Sequence, residues 1–180
     1  MKASARFILA LTVAALIMLA FRALAFTLYS VGGNSLEPEL LGGDRVLVNR
    51  WSYGLRTGSR DGLFRYGRIC RSEVERGDIV AFDSPLDSVD GVFVCRCRSL
   101  PGDTIRVNGD LMLVPGLVTC ADENYYWMEA IGTDNTIDSR VFGFVPESSI
   151  IGRVCLGVFS HDDCRPFYTG YRPERTLLLK

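Results

Sequence analysis

Few residues of this chain have side chains that could act in catalysis, and their types are unusual. Lys2 and Lys180 are the only lysines, one near each end, and His161 is the only histidine. Every other cation is an arginine, which stays protonated in proteins and therefore does not act as a base. Ser35 follows two glycines and precedes Pro38, and glycines let a backbone approach a ligand closely. Ser35 is therefore a candidate nucleophile, although a serine in such a turn is more often structural.

Cysteines form a second set of residues with possible chemistry. In an exported domain they could pair as disulfides, whereas in a reducing compartment they would stay free. Cys95 and Cys97 share one side of a predicted strand, where neighbouring residues diverge from disulfide geometry. A lone C-x-C without a second pair or histidines is a weak signal for a zinc site, and we expect no metal there. We also expect no other cofactor. The six cysteines are Cys70, Cys95, Cys97, Cys120, Cys155 and Cys164.

The composition suits one folded domain with a short appendage. The chain has 180 residues, and 48% of them are hydrophobic, which is enough for a core. Its 20 basic and 21 acidic residues leave a net charge of -1. Because nucleic-acid-binding domains carry a basic excess, we expect no nucleic-acid partner.

The first 31 residues have the composition of a membrane segment. An apolar run from Phe7 to Phe21 follows two basic residues and is interrupted by Arg22. The run alone is shorter than the roughly 20 residues that span a bilayer, but counting through Arg22 to Val31 gives enough length. A long arginine side chain can extend to the membrane interface, so such a segment tolerates Arg22.

Two interpretations of this segment compete. A cleavable signal peptide would end at the "ALA" of residues 23–25, but Arg22 just before that motif is awkward for it. An uncleaved anchor would have its N-terminus in the cytoplasm, which the basic start of the chain favours. We expect the anchor, with residues 1–31 crossing a membrane once and residues 32–180 forming an extracytoplasmic domain.

The rest of the chain has the pattern of a mainly β domain. Short alternating or apolar stretches are separated by glycine, proline, aspartate and asparagine, as in strands joined by turns. Gly109-Asp110 lies between two such stretches and predicts a hairpin. Residues 51–76 mix aromatic residues, glycine and arginine without a clear period, which predicts a loop or hairpin excursion. The predicted strands are "DRVLVNR", "GDIVAF", "GVFVCRCR", "TIRVN", "LMLVP", "RVFGFVP" and "IIGRVCLGVF".

Four stretches carry a resemblance to a known family. "NSLEPELLGGDRVLVNR" resembles the nucleophile box of bacterial type I signal peptidases, S-M-x-P-T-L followed by G-D-x-x-x-V. "RGDIVAF" is similar to a strand common in that family, and "CRCRSLPGDTI" is similar to its box K-R-x-x-G-x-P-G-D. "DNTIDSRVFGFVPESSIIGRV" is similar to the box G-D-N-x-x-x-S-x-D-S-R-x-x-G-x-V-P. The four occur in the family's order over most of residues 31–156, and the chain is identified as a divergent member.

The resemblance implies a fold and a function. The fold is a signal-peptidase-type antiparallel β domain that follows one N-terminal transmembrane helix and lies on the outer face of the bacterial inner or plasma membrane. Such hydrolases are serine endopeptidases of the protein-export pathway that remove signal peptides after small-x-small motifs. The implied partners are the lipid bilayer and preprotein signal peptides, which bind as extended strands. The nucleophile corresponds to Ser35, and the family's base is a lysine.

That lysine is absent from its box. With "LPGD" of residues 100–103 aligned, the family's lysine falls on Cys95 and its arginine on Arg96. A lysine acts as a base only when burial lowers its pKa and its amine reaches the serine hydroxyl. Lys2 precedes the membrane segment and Lys180 ends the chain, so neither substitutes.

The resemblance also implies roles for other residues of the boxes. Gly33 stands where some members carry a serine that donates to the oxyanion, and the backbone amide of Ser35 could still do so. Thr136 keeps a hydroxyl where a serine orients the lysine, and Asp138 and Arg140 are expected to form an ion pair. The expected supporting residues are Gly33, Thr136, Asp138, Ser139 and Arg140, and the expected substrate-binding residues are Leu36 and Pro38.

Two functional hypotheses follow from the missing lysine. One is an active signal peptidase with a different base, such as a Cys95 thiolate helped by Arg96, His161, or a group from a partner. The other is a non-catalytic member that binds signal-peptide-like segments or partners an active signal peptidase paralogue. Loss of a general base usually costs about 10²–10⁴ in rate, which favours the second hypothesis for a chain without the lysine.

Overall fold

The computed structural model describes residues 2–32, 36–58, 66–85, 91–107, 109–132, 137–161, 165 and 169–172. Within the first helix it describes the side chains of residues 6–19 and 25. Most of these residues belong to β strands, so the expected mainly β fold is confirmed.

The chain begins with a 24-residue helix, α1 (Lys2–Ala25). The large apolar side chains between Phe7 and Leu19 are 46% to 71% exposed. Among the residues whose side chains are described, no helix has the length and apolar character needed to cross a bilayer. Strand β1 (Phe26–Ser30) follows the helix directly and pairs with β2 (Asp44–Asn49), so the sheet begins within the first 31 residues.

A seven-stranded sheet forms the centre of the domain, in the order β1-β2-β11-β5-β6-β9-β10. All of its pairings are antiparallel. The residues of β5 are buried at four of five positions, because this strand lies in the middle of the sheet. The strands after β1 are β2 (Asp44–Asn49), β5 (Ile79–Asp83), β6 (Val92–Ser99), β9 (Tyr125–Glu129), β10 (Val145–Pro146) and β11 (Ile150–Ser160).

Two parts of this sheet differ from the sequence prediction. "YYWME", which became β9, was not among the predicted strands because its apolar residues do not alternate with polar ones. "RVFGFVP" was predicted as one strand, but it contains the end of a short helix, α2 (Ser139–Phe142), before β10. The helix forms because the Asp138 side chain caps its N-terminus, and Gly143, with a φ of 80°, ends it.

Two buried clusters lie on opposite faces of the sheet. In β5, Val80 and Phe82 belong to the first cluster and Ile79 and Ala81 to the second, as strand alternation requires. The first cluster consists of Tyr53, Val74, Val80, Phe82, Cys95, Cys97, Tyr126, Met128, Val145 and Ile150. The second consists of Val31, Leu36, Leu40, Val46, Val48, Ile79, Ala81, Ile151 and Val154.

Strand β6 contributes to both clusters, and its faces are those predicted from its alternation. Phe93, Cys95 and Cys97 pack in or against the first cluster. Val94 packs against the second cluster. The thiols of Cys95 and Cys97 therefore fill buried, largely apolar space and are unbridged.

A two-stranded ribbon, β3 (Leu55–Thr57) and β4 (Gly67–Ile69), lies within residues 51–76. Arg68 joins it to the domain with a side chain that is 2% exposed. Its guanidinium donates to the backbone oxygen of Ile150 at 2.6 Å and to that of Gly54 at 3.1 Å. The ribbon is therefore tied to the sheet by buried hydrogen bonds.

A second ribbon, β7 (Thr104–Val107) and β8 (Asp110–Leu113), turns at Gly109. The predicted hairpin is therefore confirmed, and a φ of 99° at Gly109 explains why glycine suits the turn. Neither strand of this ribbon pairs with the seven-stranded sheet in the described part of the chain.

Candidate functional site

The expected nucleophile Ser35 and two expected helpers, Gly33 and Thr136, lie outside the described residues. Cys164 lies outside them as well. The described site therefore consists of the segment after Ser35, the position of the missing lysine, and the turn around Asp138.

The segment after Ser35 packs on the second cluster. Leu36 is 1% exposed and Leu40 is 3% exposed, and both belong to that cluster. The Leu40 amide donates to the Leu36 carbonyl at 3.0 Å, which closes a helical turn. Pro38, the other expected substrate-binding residue, follows a cis peptide bond within this turn. The turn is therefore held in place by two buried leucines.

An ion pair joins the same segment to β6. The Glu39 carboxylate accepts from the Arg96 guanidinium, and the two side chains are about one-third exposed. Arg96 and Val94 share one face of β6, and Val94 packs against the cluster that contains Leu36. The arginine of the third box thus faces the segment that follows Ser35.

Backbone hydrogen bonds join the two ends of the segment 31–44, which includes Ser35 in sequence. The Val31 amide donates to the Asp44 carbonyl at 2.8 Å, and the Gly43 amide donates to the Val31 carbonyl at 3.0 Å. Asp44 is 3% exposed, and its carboxylate accepts from the Leu41 amide at 2.9 Å and from the Ser160 hydroxyl. Gly43 and Asp44, the Gly-Asp pair of the first box, therefore have a structural role, because their hydrogen bonds hold the two ends of this segment together.

His161 also lies beside Gly43, where the two ends of this segment meet. Its backbone amide donates to the Gly43 carbonyl at 3.3 Å, and its ring stacks on Phe159 with the centroids 6.3 Å apart. The imidazole is thus placed beside the strand end where the loop closes.

Cys95 occupies a buried position on the other side of the sheet. Its side chain is 1% exposed and packs in the first cluster, whereas Leu36 packs in the second. Burial raises the pKa of the Cys95 thiol to about 12, and the negative charge of Asp138 adds to this rise. The thiol is therefore neutral at physiological pH.

Asp138, Ser139 and Arg140 form one connected turn. The Arg140 guanidinium donates to the Asp138 carboxylate at 2.6 Å, so the expected ion pair is present. The Asp138 carboxylate also accepts from the Ala130 amide at 3.1 Å, and the Ser139 hydroxyl accepts from the Met128 amide at 2.9 Å. The Met128 amide lies on the edge of β9 beyond its short pairing with β10, and Ala130 directly follows the strand. Side chains of the turn therefore supply the hydrogen-bond acceptors that the backbone of a neighbouring strand would otherwise provide.

The charge of Asp138 is fixed by its partners. Burial alone would raise the pKa of this carboxyl, which is fully buried. Hydrogen bonds from the Arg140 side chain and from the backbone amides of Arg140 and Ala130 outweigh burial and hold the pKa below its ordinary value. The same ion pair raises the pKa of Arg140. Both groups therefore stay charged at physiological pH.

The sequence that forms this antiparallel sheet, the hydrogen bonds of Asp44 and the turn at Asp138 matches a known protein family. A family model described as "Signal peptidase, peptidase S26" matches residues 4–124. The chain therefore belongs to the signal peptidase family.

Individual relatives agree with this assignment. A probable signal peptidase I-2 of Synechocystis is 29% identical over 68% of this chain and 58% of its own length. A signal peptidase I of Bacillus licheniformis is 31% identical over 72% of this chain and 61% of its own length. A signal peptidase I of Pseudomonas aeruginosa is 31% identical over 76% of this chain and 66% of its own length. The chain thus spans about 60% of the length of the first two relatives.

Proposed function

We propose that this protein is a signal-peptidase-like member of the export pathway that binds signal-peptide-like segments of exported proteins but does not cleave them efficiently. Membership of the signal peptidase family supports the binding part of this proposal. The observation that carries the non-catalytic part is the buried neutral thiol of Cys95 at the position that the resemblance assigns to the lysine base.

The chemistry of that thiol makes it a poor base. Burial raises the pKa of this thiol to about 12, so it stays protonated at neutral pH. Arg96, which could otherwise stabilise a thiolate, lies on the opposite face of β6 and pairs with Glu39. A serine hydroxyl without a base reacts slowly, because removing one member of a nucleophile and base unit costs nearly as much as removing both.

An active serine endopeptidase is the second candidate. The intact turn of Asp138, Ser139 and Arg140 favours it, because a protein that only binds peptides has no evident need for a catalytic support. Such an enzyme would take its base from His161 or from a partner. An active signal peptidase paralogue could supply this base. In the non-catalytic candidate, the same paralogue would instead cleave the polypeptides that this protein binds.

We place the protein at the bacterial inner or plasma membrane with α1 as its single anchor. The exposed apolar side chains between Phe7 and Leu19 support contact of this helix with the lipid bilayer. The N-terminus would lie in the cytoplasm and the β domain outside it.

Cleavage and binding need separate assays to distinguish the two candidates. Purified full-length protein is mixed with a preprotein that carries an Ala-x-Ala motif, and cleavage is measured against Ser35→Ala. Binding of the same signal peptide, labelled with a fluorophore, is measured by anisotropy. Binding without cleavage supports the proposal, whereas cleavage that depends on Ser35 supports the active enzyme.

A further inference from the structure

A cleft of about 390 Å³ lies between the β7–β8 ribbon and strands β6 and β9. Arg98, Trp127 and Glu129 line it from the sheet, and Arg140 lines it from the turn described above. The volume lies within the range of sites that bind small ligands or short peptide segments.

The cleft follows the free edge of β7. Four consecutive residues of this strand, 104–107, line it, and successive side chains of a strand point to opposite faces. No residue of β8 lines it, so the cleft lies on the edge of β7 that faces away from β8. Among the described residues β7 pairs only with β8, which leaves this edge open to an added strand.

Three guanidinium groups face this edge. Arg98 is 70% exposed, and its nearest carboxylate is that of Glu129 at 3.9 Å. Arg106 is exposed and forms no ion pair with any residue in the described part of the chain. Arg140 is oriented by Asp138 and keeps 56% of its side chain exposed. Because each guanidinium has five N–H donors, the exposed side chains of Arg98 and Arg106 can donate to a ligand with carboxylates.

The walls favour a peptide over a phosphate group. Ile105 and Val107 are half-buried and provide apolar surface for side chains, and the buried Trp127 lies behind them in the wall of the cleft. The Glu129 carboxylate accepts from the Trp127 indole at 2.9 Å, which holds this carboxylate against the sheet.

Strand β6 links the cleft to the segment that follows Ser35. Arg96 pairs with Glu39 of that segment, and Arg98 of the cleft lies two residues after Arg96, where the pairing of β6 with β9 shifts register. Two residues of a strand span about 7 Å, so an extended peptide that crosses the Leu36–Leu40 turn reaches the cleft within a few residues.

We propose that this cleft binds an acidic, extended stretch of an exported polypeptide, located a few residues beyond its signal-peptide-like part. The stretch adds a strand to the open edge of β7, and its carboxylates contact Arg98 and Arg106. This inference rests on the proposed function, since it concerns the same bound polypeptide.

Two matched peptides test it with the full-length protein in detergent. Both carry the same labelled signal-peptide-like part, followed by six residues that contain either Asp and Glu or Asn and Gln. We expect the acidic peptide to bind about tenfold more tightly at low salt. The advantage should disappear in the double variant R98Q/R106Q and persist in R45Q, which removes an exposed arginine of β2.

Emission from Trp127 gives an independent readout, because Trp51 is the only other tryptophan and can be replaced in a Trp51→Phe background. The acidic peptide should shift this emission more than the neutral one. Equal affinity of the two peptides would overturn the inference and leave the proposed function standing. Absence of binding by both would overturn the proposed function and the inference with it. Displacement of the acidic peptide by inorganic phosphate, but not by chloride at equal ionic strength, would make the cleft a phosphate site and overturn the inference.

Discussion

Cys95 and Leu36 lie on opposite faces of one sheet, each 1% exposed and each in its own buried cluster. Leu36 directly follows Ser35 in sequence, and Cys95 stands at the position of the family's lysine in the third box. Burial raises the pKa of the Cys95 thiol to about 12, so the thiol stays protonated at neutral pH and does not act as a base.

Replacement of Cys95 by lysine should return some activity. A lysine buried at this position has a lowered pKa, and its longer side chain extends beyond the space that the thiol fills. We expect C95K to cleave an Ala-x-Ala preprotein at a rate that gel assays detect, and C95K/S35A not to do so. Cys97→Lys is the matched control, because Cys97 is also 1% exposed on the same face. Cleavage by C97K but not by C95K would contradict the assignment of the base position.

The thiols of the protein should differ in reactivity. Cys70 and Cys120 are exposed, whereas burial raises the pKa of Cys95 and of Cys97 to about 12. Under native conditions at pH 7, iodoacetamide followed by mass spectrometry should show rapid modification of the exposed pair. Cys95 and Cys97 should react only after unfolding. Modification of Cys95 at the rate of Cys70 would show that its thiol is accessible and ionised.

Ser139→Ala should weaken the edge of β9. The hydroxyl of Ser139 accepts from the Met128 amide in a buried site, so its loss leaves that donor unsatisfied. We expect the free energy of unfolding to fall by about 1–2 kcal/mol in urea titrations. Ser148→Ala is the control, because Ser148 is also buried but its hydroxyl has no hydrogen-bond partner among the described residues. Equal losses in the two variants would contradict the bracing role of Ser139.

Asp138→Asn should remove stability that depends on pH. The folded-state pKa of Asp138 lies below its ordinary value of 3.8, so the unfolded chain binds a proton more readily. The carboxylate therefore contributes its full stability above pH 3.8, and this contribution is lost as the pH falls through the lower folded-state value. The difference between wild type and D138N in urea titrations should be large at pH 7 and shrink toward pH 3.

Asp83→Asn provides the comparison for that variant. The Asp83 carboxylate is 46% exposed and pairs with Arg56 at 2.7 Å, so solvent screens the pair and its removal should cost less. A gap between wild type and D138N that stays constant from pH 7 to pH 3 would show that the charge of Asp138 contributes nothing.

The strands that the sequence predicted well are those with strong patterning. The alternation of β6 placed Cys95 and Arg96 on opposite faces correctly, because the period of a strand is two residues. Strand β9 was missed because its successive aromatic residues do not alternate, and a helical turn at Ser139 was missed because its cap is a single aspartate.

The site was predictable only where it is local. Asp138 and Arg140 are two residues apart, and their ion pair follows from the motif itself. The pair of Glu39 and Arg96 joins residues 57 positions apart, and no pattern within either box indicates it. The arginine cleft likewise depends on how the β7–β8 ribbon lies against β6 and β9, which is a property of the packed sheet.

Cleavage of a preprotein by the unmodified protein tests the central claim most directly. Purified full-length wild type and Ser35→Ala are incubated with the same Ala-x-Ala preprotein, and signal-peptide binding is measured in parallel. The non-catalytic account predicts binding by both proteins and no cleavage by wild type above the rate of Ser35→Ala. Robust cleavage by wild type that Ser35→Ala abolishes would contradict it.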